Sequence, residues 1–323
     1  MLSTIVRRLL QTLVVVVVMS GLVFAGLYLI GDPVLMLASP EATDAQRDEI
    51  RRALGLDLSL GQQYLIFLSK AARLDFGNSF LTGESAMRLI LERMPATLEL
   101  ATLAMLLSVL IGVPLGVYAG LRPRSVGARS IMTSSVLGFS LPNFWVGLML
   151  IMLFAVMLGW LPAGGRGPVE SFGPIQLSVF NWEGLRSLIL PASTIAVAKC
   201  ALIIRVTRAA TRECLPQDYI KFARAKGLRE KRVLGVHLLK NIMIPIVTIG
   251  GLEYGQVFAF AVVTETVFSW PGMGKLLIDS IITLDRPVVV AYLMLTVMFL
   301  AMLNLLVDIA YTVLDPRVRM GAA

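Results

Sequence analysis

Few side chains in this 323-residue sequence can do chemistry, and their spacing narrows what that chemistry is. His237 is the only histidine, and Cys200 and Cys214 are the only cysteines. Zinc or haem ligation usually draws on several Cys or His side chains, so no metal site is expected. Two cysteines so close to a basic segment also make no disulfide framework. A Ser, His and Asp constellation is equally hard to assemble, because His237 lies in that basic segment, where packing or hydrogen bonding is its expected role. The only Gly-Lys pair is Gly274 with Lys275. A phosphate-cradling Walker A loop would need Gly in place of Ser269 and Ser or Thr in place of Leu276. The chain is therefore not expected to bind ATP.

The informative charges are the four that fall inside long apolar runs: Glu99, Lys199, Glu253 and Asp308. A charge at the centre of a bilayer costs roughly 2.5 to 3.5 kcal/mol on insertion scales, so each needs a reason. Glu99 and Asp308 lie near the ends of their runs, where interfacial solvation suffices. Lys199 precedes Arg205 by less than about two helical turns, so its stem can carry the ammonium toward the headgroups. Glu253 sits about 16 Å into its run at helical rise, near the midplane. Two readings stay open for it: a place on a translocation path within reach of Lys199, or a buried hydrogen bond made by a protonated carboxyl.

The elements that position these residues follow from composition. Apolar residues make up 57% of the chain and charged residues 15%, against about 25% charged in average globular proteins, which places the chain in a bilayer. Its mean hydropathy is +0.79. Six apolar runs approach or exceed the length that spans hydrocarbon: residues 9–30, 96–120, 131–158, 187–204, 242–263 and 288–311. The first also has features of a cleaved signal peptide, with Arg7 and Arg8 ahead of it and Val23, Phe24 and Ala25 as a cleavage-like site, but apolar residues continue to Ile30. In lipid every backbone group must be bonded internally, so these runs are helices, kinked or ended near Pro114, Pro142, Pro191 and Pro245. The expected architecture is an all-α polytopic membrane protein with six transmembrane helices.

Charge sets the orientation. The N-terminus, residues 121–130, residues 205–241 and the tail 315–323 carry 17 Lys or Arg against only Glu213, Asp218, Glu230 and Asp315. Residues 31–95 carry seven basic and nine acidic side chains. Both termini are accordingly expected in the cytoplasm. The net charge of +8 is explained by this bias, and no nucleic-acid partner is expected.

Two connecting segments are organised. In 31–95, Ser39 with Pro40 is a helix-start signal, Thr43 and Gln46 have capping-box spacing, and Gly55 can stop the helix; a second amphipathic stretch runs from Gln62 to about Leu74. These suit a small helical cap over the helix ends outside the membrane, with a direct ligand site as the alternative. In 205–241, Tyr219 to Lys226 reads as a helix, Gly227 as its stop, and Glu230 to Lys240 as a second helical stretch. Charge alone allows either a hairpin drawn to anionic lipid heads or a docking element for a cytoplasmic partner. Residues 268–274, with Trp270, Pro271 and Gly272, read either as an interfacial turn, with Trp in the headgroup layer, or as an outer gate element.

The stretch YIKFARAKGLREKRVLGVHLLKNIMIPIV, residues 219–247, resembles the EAA loop of the dipeptide, oligopeptide and nickel class of ABC importer permeases. Ala223, Arg224, Ala225, Lys226, Gly227, His237 and Pro245 match in order, with Lys221 and Phe222 where the wider signature has Glu and its first Ala. GDPV at Gly31, LGLD at Leu54, Asp75 to Ser79, RMPATLELA from Arg93, SLPNFWVGL from Ser140, LPA at Leu190 and TETVFSWPGMG from Thr264 extend the resemblance along most of the chain.

The resemblance implies a type I importer permease fold in a bacterial inner membrane. A second homologous permease would complete the pathway, two ABC ATPases holding ATP and Mg would power it, and an extracytoplasmic solute-binding protein would deliver cargo. The coupling residues would be Tyr219, Phe222, Ala223, Arg224, Ala225, Lys226 and Gly227, on a helix that enters a cleft of the ATPase. The expected organisation is residues 1–95 as a first span plus an outer helical segment, 96–314 as the permease core with the coupling loop 205–241, and a tail 315–323. Di- or oligopeptides, glutathione, nickel chelates and sugars all remain open as cargo. Secondary, ion-coupled transport is the competing class. Its mark would be inverted repeats and paired midplane acids, against which stand six unequal spans and one central Glu.

Overall fold

The computed structural model describes residues 2–27, 34, 38, 41–173 and 175–314. The helix-start signal at Ser39 and Pro40, the Gly31 to Pro33 part of GDPV, residues 28–30 of the first run and the tail 315–323 lie outside them.

Helix α1 is Leu2–Leu27. Two short helices follow, α2 (Asp44–Ala53) and α3 (Leu60–Ala72), each started by a capping box in which Thr43 pairs with Gln46 and Ser59 with Gln62. Gly55, at φ +68°, takes the left-handed conformation that turns the chain after α2. Then come α4 (Ala86–Leu121), α5 (Val126–Ser140), α6 (Asn143–Met157), α7 (Trp182–Cys214), α8 (Asp218–Ala225), α9 (Glu230–Phe260), α10 (Val262–Val267), α11 (Met273–Ile282) and α12 (Arg286–Leu314).

Among the described residues, α1, α4, α7, α9 and α12 are each long and apolar enough to cross a bilayer. The third expected run, 131–158, is not one helix: α5 and α6 meet at a bend of 104° and make a sixth span only if taken as one broken unit. Proline chemistry explains the break. Leu141 precedes Pro142 and is pushed out of the helical region to φ −81°, ψ 135°. The fifth helix also differs from expectation. It starts at Glu230, not Ile242, because the π-helical turn Val233–Leu238 joins it without interruption to the basic segment before it. Counted from Glu230, Glu253 is roughly 35 Å of helical rise along α9, in its last third; the added turns are the basic segment 230–241, so its distance into the apolar run from Ile242 is unchanged.

An all-α reading omits one element. Residues 170–177 form a small hairpin, β1 (Glu170–Phe172) and β2 (Ile175–Leu177), paired antiparallel with Glu170 opposite Leu177.

The chain divides into two compact units, residues 96–271 with 303–314, and residues 2–95 with 272–302. In the first, one core gathers Ala96, Leu100, Ala104, Leu188, Ile195, Val257 and Trp270, and a second gathers Ala210, Ile220, Ala223, Val233, Leu238, Ile242 and Ile246. Lipid tails are as apolar as leucine, so helices in a membrane must associate through close van der Waals approach. The seam of α4 with α7 shows how. Gly112, Gly116 and Gly120 recur every fourth residue on α4 and face Ile203, Thr207 and Thr211 on α7. A Cβ at Gly116 would stand 2.6 Å from the Thr207 Cβ, so only glycine fits.

In the second unit Phe24 of α1 packs on Tyr64 and Phe67 of α3, and the Ser20 and Tyr64 hydroxyls lie 3.0 Å apart. Val23, Ala71, Val290 and Met294 form its core. Leu10, Leu13, Val14, Val18 and Leu22 stay more than half exposed on α1, a surface suited to lipid and not to water.

Candidate functional site

Three constructions carry the site residues. The first is α8. Gln217 opens the helix in an extended conformation, Asp218 occupies its first turn and Arg224 its last, the arrangement that complements the helix dipole. Ile220 and Ala223 are buried against Ala210 of α7 and against Val233, Leu238 and Ile242 of α9. On the other side Tyr219, Phe222, Ala225 and Lys226 are exposed, Phe222 by 61%. The Lys226 ammonium sits 4.5 Å from the Phe222 ring centre, and Lys221 pairs with Asp218 at 3.0 Å.

Gly227 ends the helix at φ +72°, and the N–H groups of Gly227 and Leu228 close the turn on the Arg224 and Ala223 carbonyls at 2.9 and 3.3 Å. Arg224 spans this turn, donating from Nη2 and Nε to the two oxygens of Glu230 at 2.6 and 3.3 Å. That hydrogen bond raises the Arg224 pKa above its ordinary value. The result is a short, stiff knob with an aromatic tip. The helix and its glycine stop are legible in the sequence; the Arg224 to Glu230 strap, made across the turn, is not.

The second construction lies between helices. Lys199 on α7 places Nζ 2.5 Å from Oε2 of Glu253 on α9, with side chains 19% and 15% exposed. Lys199 therefore does not need the headgroups to satisfy its charge. Beside Glu253, the hydroxyls of Tyr254 and Thr102 of α4 lie 3.1 Å apart.

The third construction corrects two expectations. Glu99 does not rely on interfacial solvation. Its side chain is 4% exposed and pairs with Arg166 at 2.6 Å, while Ser178 and Val179 donate backbone N–H groups to it at 2.5 and 3.1 Å. Trp270 does not expose its ring to headgroups either. It is fully buried in the core with Leu100 and Leu188, its Nε1 donates to the Ala96 carbonyl at 2.9 Å, and the Arg166 guanidinium lies 5.9 Å from its ring centre. Pro271 follows it, and Gly272 opens α11 in an extended conformation. Nearby, the buried Glu265 receives the Thr97 hydroxyl at 2.6 Å. The one sequence signal for the Glu99 pair is an acid near the end of an apolar run together with a lone Arg in the glycine-rich stretch 164–167. Nothing local joined the two.

Among the described residues no group of three or more His, Cys, Asp or Glu is arranged to hold a metal ion.

Two family models match the sequence: "binding-protein-dependent transport system inner membrane component" over residues 112–320, and the N-terminal model of the same membrane components over residues 1–101. The chain is 42% identical over 333 residues to the di/tripeptide transport system permease protein DppB of Pseudomonas aeruginosa, with 99% of each chain covered. It is 36% identical to the dipeptide transport system permease protein DppB of Escherichia coli, again with 99% of each covered. It is 38% identical to the oligopeptide transport system permease protein AppB of Bacillus subtilis, covering 89% of this chain and 90% of that one. Among solved structures, inward-facing MetNI, a methionine ABC transporter, matches with a TM-score of 0.54 at 16% identity, covering 71% of this chain and 97% of the other. That likeness bears on the fold.

Proposed function

The chain belongs to the family of binding-protein-dependent transport system inner membrane components, and on that premise we propose a peptide importer in which this subunit is moved by its partners and does no chemistry itself. It is a multi-pass permease subunit of an ATP-binding-cassette importer in the inner membrane. Di-, tri- or oligopeptides are the proposed cargo, supported by what the relatives are named for. The proposed partners are a second homologous permease, two ATPase subunits that hold ATP and Mg, and a solute-binding protein on the outer face. The basic bias of 205–241 supports a cytoplasmic position for that segment and for both termini.

One observation carries the mechanism. The exposed Phe222 and Tyr219 cap a helix whose opposite face, Ile220 and Ala223, is packed on both α7 and α9. A push on the tip is therefore delivered to the two helices that hold Lys199 and Glu253. Closure of the ATP-bound subunits on α8 would shift the population between inward-open and outward-open states. In this reading Lys199 and Glu253 face the path, and Trp270, Pro271 and Gly272 belong to the wall of the outer gate.

The test is to express the chain with its ATPase subunits and replace Phe222 by Asp or Gly227 by Val. A Cβ at Gly227 would meet no other atom within 4 Å, so the valine acts through the left-handed backbone alone. Loss of ATPase co-purification for Phe222→Asp, and a fall of about tenfold or more in uptake per ATP for Gly227→Val, are expected. Uptake that follows an ion gradient with no ATPase present would sink the reading.

A further inference from the structure

Glu99 is a fully engaged buried acid that the transport reading leaves without a role. Its Oε1 receives the N–H groups of Ser178 and Val179; its Oε2 receives the Ser178 hydroxyl at 3.1 Å and Arg166 Nη2 and Nε at 2.6 and 3.2 Å. A carboxylate offers about four lone-pair sites, so this one is saturated. Arg166 also donates to the Gln176 carbonyl at 2.6 Å and lies over Trp270. From the other side, the Gly165 N–H reaches the Phe268 carbonyl at 2.8 Å. Glu99 thus holds Arg166, Ser178 and Val179 to α4, and Gly165 and Arg166 join that stretch to Phe268 and Trp270.

The packing leaves no slack. A Cβ at Gly164 would stand 2.5 Å from the Phe268 carbonyl oxygen, and one at Gly184 would stand 2.4 Å from that of Ser178. Pulling the connection 159–181 away would strand a buried charge with none of its partners, among the costliest single changes a fold can make. A hinged lid needs the opposite, a contact easily broken and remade.

We propose that Glu99 is a positioning residue for transport: it fixes the connection 159–181 to the Phe268 to Trp270 turn so that both travel as one body when access switches, with the opening taken up at other contacts. This rests on the permease reading above.

The experiment uses the whole transporter in lipid, with ATPase subunits and binding protein. In Glu99→Gln the shape is kept, but the charge and one acceptor oxygen are lost. Solute moved per ATP hydrolysed should fall about tenfold while the ATPase subunits stay bound; a residue serving stability alone would change the yield of complex and leave that ratio intact. Spin labels on cysteines replacing Glu170 and Leu106, both exposed, with Cys200 and Cys214 changed to Ser, supply the second readout. The Glu99 parent should give one narrow distance, the same without nucleotide and with ATP, and Glu99→Gln a broad one. The double change Glu99→Arg with Arg166→Glu should not rescue, because a guanidinium cannot accept the Ser178 and Val179 N–H groups.

A distance that switches with nucleotide in the Glu99 parent, or an unchanged solute-to-ATP ratio in Glu99→Gln, overturns the proposal. If Glu99→Gln does not assemble, Ser178→Ala decides, since it removes one neutral donor: a smaller fall in the ratio supports the proposal and no fall overturns it. Absence of ATP-driven uptake in the unmodified complex would remove the permease reading and this proposal together. Coupled uptake that is indifferent to Glu99→Gln removes only the role of Glu99.

Discussion

Lys199 and Glu253, 54 residues apart in sequence and on different helices, hold their charges 2.5 Å from each other with most of both side chains shielded. Neither charge would be stable there alone. Removing one partner of a buried pair costs about 3 to 5 kcal/mol, whereas replacing both with apolar groups of similar size is often neutral.

The first prediction follows. Glu253→Gln alone should lower the melting temperature and the yield of assembled complex, and Lys199→Met with Glu253→Gln should recover most of both. If the pair also faces the path, the double variant assembles but transports poorly. Uptake and assembly both unchanged in Glu253→Gln would remove the path assignment.

The seam between α4 and α7 gives a second prediction, with opposite signs at facing positions. Thr207 and Thr211 are fully buried, and neither hydroxyl has a hydrogen-bond partner. A buried hydroxyl left unpaired costs about 1 to 3 kcal/mol, so the isosteric Thr207→Val should be neutral or stabilising. Gly116→Ala, which drives a methyl toward the Thr207 Cβ, should cost about 1 to 3 kcal/mol by overpacking. Thermal melting of the purified protein measures both. A destabilised Thr207→Val would mean that the hydroxyl has a partner after all.

A third prediction concerns the second unit. Asp285 is buried; it receives the Ser79 hydroxyl and, at 3.1 Å, the Phe80 N–H. Next to it Leu284 holds a left-handed conformation at φ +57°, unusual for a side chain of its size. Asp285→Ala should cost about 1 to 3 kcal/mol and speed amide exchange across residues 77–85, with exchange in α8 unaltered. Uniform protection throughout would show that the carboxylate does not hold this turn.

Much of the architecture was legible in the sequence because it depends on local, additive quantities. The cost of putting a side chain into hydrocarbon sums along a run, which is why the cores of α1, α4, α7, α9 and α12 could be read directly. The capping box at Thr43, and the glycine that stops α8, act within one helical turn and were likewise readable. The break between α5 and α6 was partly legible: Pro142 was visible, but the same residue class is carried inside α7 at Pro191 and inside α9 at Pro245 without ending either helix. Whether a proline bends, breaks or is absorbed depends on what packs around it.

Sequence alone determined that this chain lives in a membrane, which of its connections are basic, and that α8 ends in a turn only glycine makes comfortably. Tertiary structure decided which charges meet. Glu99 finds Arg166 across 67 residues, Lys199 finds Glu253 across 54, and Trp270 buries its ring in a core closed by Ala96 instead of exposing it. Hydropathy assigns each residue a cost in isolation, but a buried charge or indole N–H is stable only through a partner brought to it by the fold.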